Sequence, residues 1–99
     1  MRDGYSFPID TCIIDAVVGN GQLWVLHHRL SPPEITVLTE DCEIEEQLQV
    51  PLLSPCLSPS SRKAKRGLKV PLCLAIHEDK IYIGDKQGNI CVYLLSLAQ

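Results

Sequence analysis

The sequence predicts an all-β chain made of antiparallel meanders. Three observations carry that prediction. Short runs alternate apolar and polar residues, each run ends in turn chemistry, and the pattern recurs about 58 residues further along. In the first unit, Ile13-Ile14-Asp15-Ala16-Val17-Val18 runs into the turn Gly19-Asn20-Gly21, a residue set that tolerates positive φ. Gln22 to His28 follows and breaks at Ser31-Pro32-Pro33. Glu34 to Glu40 makes a third run, and Glu45 to Val50 a fourth, where Leu48 and Val50 alternate with Gln. In the second unit, Leu72, Leu74 and Ile76 share a face ahead of a turn at His77-Glu78-Asp79. Ile81 and Ile83 repeat the alternation, Gly84 to Asn89 turns the chain again, and Ile90, Val92 and Leu94 close the series.

The segment Ile81-Tyr82-Ile83-Gly84-Asp85-Lys86-Gln87-Gly88-Asn89-Ile90-Cys91-Val92-Tyr93 resembles the second and third strands of a WD40-type β-propeller blade. Gly84, Gly88 and Tyr93 fall where that family places a strand-ending glycine, a turn glycine and a closing aromatic. Two positions depart from the pattern: Gln87 stands at the usual structural Asp, and Tyr93-Leu94 replaces Trp-Asp. The resemblance therefore implies a divergent propeller with a weakened internal hydrogen-bond network. Trp24 in the first unit aligns with Tyr82 in the second. A blade recurs at about 40–45 residues, and the surplus of about 15 equals the length of Leu53 to Gly67. The expected organisation is a first blade-like unit over 1–52, a flexible Ser/Pro/basic loop over 53–67, and a second blade-like unit over 68–99.

Two such units form an incomplete ring. Stacked repeats bury their apolar faces only against neighbours, so about three or more are needed for a stable array. The resemblance implies a non-enzymatic protein-interaction scaffold that needs further blades or a partner chain for closure. Residues Tyr5 to Ile9 are a candidate closing strand if the remaining blades lie in a partner, and the isolated chain is expected to be poorly stable. The alternative is a small autonomous β domain that binds nucleic acid or another anion through its basic loop, Arg62, Lys63, Lys65 and Arg66.

The net charge of −3 argues against non-specific nucleic-acid binding by the chain as a whole. Four acids crowd Asp41 to Glu46, and four bases crowd Arg62 to Arg66. No apolar run reaches the roughly 18 residues of a membrane span, and Pro8 and Asp10 interrupt the start, so the expected location is the cytoplasm or nucleus. Five cysteines without a C-x-x-C spacing read as reduced thiols. Cys12, Cys73 and Cys91 are expected to act as small apolar groups within strands. Neighbours in a strand point to opposite faces, so His27 and His28 do not make a metal pair; they read as the solvent-exposed end of a strand. No nucleophile motif or phosphate cradle accompanies His77, so neither catalysis nor a cofactor is expected.

Trp24, Tyr82 and Tyr93 are the large strand aromatics. They are candidates both for packing between units and for a partner-binding surface. Within the loop, Ser54 and Ser58 each precede proline, the minimum pattern for proline-directed phosphorylation. Charge added there, beside the basic tract, would alter the local electrostatics.

Overall fold

The computed structural model describes residues 4–29, 32–50, 54–55 and 70–95, and the fold is all-β. The first sheet is a meander of β1 (Cys12–Gly19), β2 (Gln22–His28), β3 (Glu34–Leu38) and β4 (Ile44–Gln49), paired antiparallel in that order. The second holds three long strands, β6 (Pro71–His77), β7 (Lys80–Asp85) and β8 (Ile90–Leu94). A two-residue strand, β5 (Ser54–Pro55), lies along the outer edge of β8. The seven alternating runs of the sequence are the seven long strands.

Tight turns set the register. Asn20 and Gly21 join β1 to β2 with φ of 53° and 75°, as a two-residue hairpin matched to strand twist requires. Glu78 holds the same place between β6 and β7, also with φ of 53°. Two further turns share one hydrogen-bond plan. Asp85 accepts from the amides of Gln87 and Asn89 through Oδ1, both at 2.9 Å, while Asp85 N donates to the Asn89 carbonyl at 2.9 Å. Between β3 and β4, Thr39 Oγ1 accepts from the amides of Asp41 and Glu43, and Thr39 N donates to the Glu43 carbonyl at 2.9 Å. The fourth residue of each turn has positive φ: Gly88 in one, Cys42 in the other. A short side-chain acceptor at the turn's first position substitutes for the missing ladder bonds.

The first hairpins of the two sheets match in register. Val17 pairs with Trp24 in the first, and Ala75 with Tyr82 in the second, each residue 58 positions on. The next ladder slips by three: Trp24 pairs with Val37, 13 residues away, whereas Tyr82 pairs with Val92, 10 residues away. The sheets approach most closely along their first strands, β1 and β6.

Each sheet thus has two comparable faces. The front of the first carries Val17, Trp24, Leu26, Ile35 and Val37, and the equivalent front of the second carries Ala75, Tyr82, Gly84, Ile90 and Val92. The core forms where the front of the first sheet meets the back of the second. There Trp24, Leu26, Ile35 and Val37 pack with Leu74, Ile81 and Ile83 in one buried cluster, with Ile76 and Tyr93 at its margin. A fully buried aliphatic side chain contributes roughly 1.5–3 kcal/mol, so this seam is the main source of stability.

Three expectations are corrected. Bulging between Pro71 and Cys73 puts Leu72 out of step, leaving it exposed while Leu74 and Ile76 keep the core face. Cys12 and Cys73 are exposed rather than buried in strand contexts. The loop expected over 53–67 begins as strand, because Ser54 and Pro55 pair with Leu94 and Tyr93; residues 56–67 lie outside the described part. Tyr5 to Ile9, a candidate strand only against blades in a partner, are not strand in the lone chain, where Phe7 packs its ring against His27.

Candidate interaction surface

The internal seam buries the front of the first sheet and the back of the second; the back of the first is also buried over its central strands, where Val25, His27, Thr36 and Leu38 are 7% exposed or less, and the front of the second faces outward. Eight large apolar side chains are exposed among the described residues. Ile90 and Leu94 lie on the outward front of the second sheet, whereas Ile13, Val18 and Ile44 lie on β1 and β4, the edge strands of the first. Apolar surface gathered on the front of the second sheet marks a place where something else packs.

The front of the second sheet is a shallow apolar plane. Tyr82 sits half-buried at its centre, opposite Val92 and Ala75, with Ile90 at its rim 73% exposed. Gly84 lies beside Cys73; a Cβ on it would meet the Cys73 sulfur at 2.8 Å, so the missing side chain makes room for the thiol. His77 and Glu78 extend from the adjoining turn, both well exposed, with His77 Nε2 3.9 Å from the Glu78 carboxylate.

The back of the first sheet has two different ends. At one, Val18 is 79% exposed beside an open recess of about 300 Å³ lined by Gly21, Leu23, Thr39 and Cys42. At the other, Tyr5 and Phe7 stack edge to face with centroids 4.9 Å apart, and Phe7 lies 4.6 Å from the His27 ring. His27, expected at a solvent edge, is buried there and shares a 2.7 Å hydrogen bond with Thr36 Oγ1. Burial pushes its pKa below the ordinary value; the Glu34 carboxylate opposes that shift, and His28 adds to it. A pocket of about 270 Å³ beside this ring is lined by Tyr5, Phe7, Arg29, Glu34 and Gln47, among others.

The three aromatics singled out from the sequence part company. Trp24 is only 3% exposed; it lies inside the seam and donates from Nε1 to the Gly19 carbonyl at 2.8 Å, which removes it from any partner surface. Tyr93 packs against the core from the back of the second sheet, and its hydroxyl pKa is pushed up to about 12 by burial, with Cys91 and Asp85 adding to the rise. Tyr82 alone faces outward, on the uncovered front. Ser58 and the basic residues Arg62, Lys63, Lys65 and Arg66 lie outside the described residues, and of Ser54 the strand pairing alone is described.

Sequence reading overlooked two polar residues that hold the sheets. Asp15 sits at a bulge in β1; its Oδ2 accepts from the Leu74 amide at 2.9 Å, capping a donor on the free inner edge of β6. Asn20 donates from Nδ2 to the Glu78 carbonyl at 2.9 Å, tying one hairpin turn to its equivalent. The signal for both is a polar side chain within or next to an apolar run, but its partner lies in the other unit. Among the described residues no group of three His, Cys, Asp or Glu side chains could hold a metal ion. No known protein family, curated protein or solved structure matches the chain.

Proposed function

We propose that this chain is a non-enzymatic interaction scaffold, a segment of a β-propeller whose outer faces are completed by further blades or by a partner chain. The observation that carries this reading is the placement of exposed Ile90 and Leu94, with half-buried Tyr82 and Val92, on the front of the second sheet, which the internal seam leaves open. Two further features support it. The first hairpins of the two sheets repeat at 58 residues with matching register, and the sheets converge along β1 and β6, as the innermost strands of adjacent blades do. Single repeats of a stack cannot bury their own faces, so terminal ones need a cap or a neighbour.

Co-purification of the full chain from cells tests the reading, with Ile90→Glu as control. Recovery of a stoichiometric protein partner that the charged variant loses is the expected outcome. A chain recovered alone, with a sharp cooperative thermal melt and no binding of a hydrophobic dye, would refute it. Recovery of nucleic acid alone would favour the anion-binding domain instead.

A further inference from the structure

An edge strand presents a row of unpaired backbone N–H and C=O groups, and proteins usually cover or blunt it. Here β1 and β6 lie along each other, and the Asp15 carboxylate caps the Leu74 amide of β6. The outer edge of β8 takes β5. The outer edge of β4 differs. No described strand pairs with it, and its residues are exposed apart from half-buried Leu48.

The phase of the ladder fixes which groups that edge offers. Val50 N donates to the Pro33 carbonyl at 3.1 Å, so the bonded pairs with β3 fall at Val50, Leu48 and Glu46. Between them, Gln47 and Gln49 point their amides and carbonyls away from β3, toward the open side. The side chains around this edge carry one sign of charge. Glu40, Asp41, Glu43, Glu45 and Glu46 are all exposed, and none forms an ion pair among the described residues. Glu45 accepts from Gln22 Nε2 at 2.6 Å, a neutral donor that leaves the carboxylate charge uncompensated. Glu46 stands opposite Val37, on the front of the sheet.

We propose that the outer edge of β4 receives an extended basic segment of another protein as a fifth strand of this sheet, bonded to the main chain of Gln47 and Gln49, with lysine or arginine at alternate positions on the Glu46 side. In strand addition the main-chain bonds hold the segment and alternate side chains select it. Charge decides the occupant. A second copy of β4 would set glutamate against glutamate across the new ladder, which is destabilising. An uncharged strand would leave the carboxylates without a counter-charge. This edge is separate from the open front of the second sheet, so the inference goes beyond the scaffold reading and does not depend on it.

Amide exchange and NMR titration of the full chain test the proposal, with a short peptide alternating Lys and Thr as the probe. Saturating peptide is expected to slow exchange at the Gln47 and Gln49 amides and to leave Leu48, already bonded to β3, unchanged. Binding should weaken as NaCl is raised, because exposed charges are screened. The double variant Glu45→Lys/Glu46→Lys should lose at least about tenfold in affinity. Gln47→Pro removes one outward donor while sparing the bonds to β3, a place where an edge strand tolerates proline, and it should lose the peptide as well. Far-UV circular dichroism identical to wild type confirms that each variant folds, and the charge variant keeps the test open if the proline variant does not. Unchanged exchange at Gln47 and Gln49 in saturating peptide would overturn the proposal. So would full affinity in a folded Gln47→Pro, which would mean contact through charge alone. Replacing Arg62, Lys63, Lys65 and Arg66 together by Gln checks the remaining occupant, and unchanged peptide affinity is expected. Protection of Gln47 and Gln49 in the peptide-free wild type that vanishes in this variant would overturn the proposal in favour of the chain's own basic tract. None of these failures touches the reading built on Ile90, Leu94 and Tyr82.

Discussion

Gly19 and Ile76 touch across the seam between the two sheets: a Cβ built on Gly19 would lie 2.8 Å from the Ile76 Cβ and 2.9 Å from its Cγ2. The near atom is the branch point of a β-branched side chain, which no rotamer change moves away. Gly19→Ala must therefore push β1 from β6. Overpacking of this kind costs typically 1–3 kcal/mol, read as a lower urea midpoint. An unchanged midpoint would mean that the sheets do not meet here.

Trp24 and Tyr82 occupy equivalent positions but answer differently to truncation. Trp24→Ala empties the buried seam and leaves the Gly19 carbonyl without its donor; large-to-small changes of an aromatic cost about 3–5 kcal/mol. Tyr82→Ala removes a half-buried ring from an uncovered face, and its stability cost should be clearly smaller. Paired urea denaturation curves compare the two, and equal losses would contradict the assignment of faces.

Asp85 should matter more than Thr39, although both organise the same kind of turn. The Asp85 carboxylate is buried and accepts two backbone amides, and its Oδ2 also takes the Asn89 side-chain amide at 3.2 Å. Hydrogen bonds to a charged acceptor are worth about 1.5–3 kcal/mol, against roughly 1 for neutral ones. Asp85→Ala is thus expected to destabilise more than Thr39→Ala. Amide exchange at Gln87 and Asn89 should accelerate in the first variant and not in the second.

His27 makes folding sensitive to acid. Its folded pKa lies below that of the unfolded chain, so near neutrality and just below, the unfolded state binds more protons. The contribution is complete above the ordinary histidine value of about 6.5 and declines as pH falls through that value toward the folded pKa. Urea midpoints of the wild type should drop over this interval more than those of His27→Gln. Parallel pH profiles for the two proteins would place the imidazole in water rather than against Phe7 and Thr36.

Strands and turns were readable because both are local. Alternation of Gln22 to His28 or Ile81 to Asp85 reports a two-sided pleat without knowledge of any neighbour, and Asn20-Gly21 specifies its own backbone angles. His27 was misjudged for the opposite reason. Nothing near it in sequence announces that Phe7, twenty positions earlier, returns to cover its ring. Leu72 was misplaced because a bulge shifts the face of every residue before it, and a bulge leaves no period-2 trace.

Residue order alone settled that this chain pleats, where it turns, and that it does so twice. Which faces meet was decided by the tertiary arrangement, which buried Trp24, left Tyr82 outward, and set Asp15 and Asn20 as ties between the units. Alternation reveals that a strand has two sides, yet both sides of these sheets are apolar. Burial depends on which neighbour arrives, and only contacts between residues far apart in the chain select that neighbour.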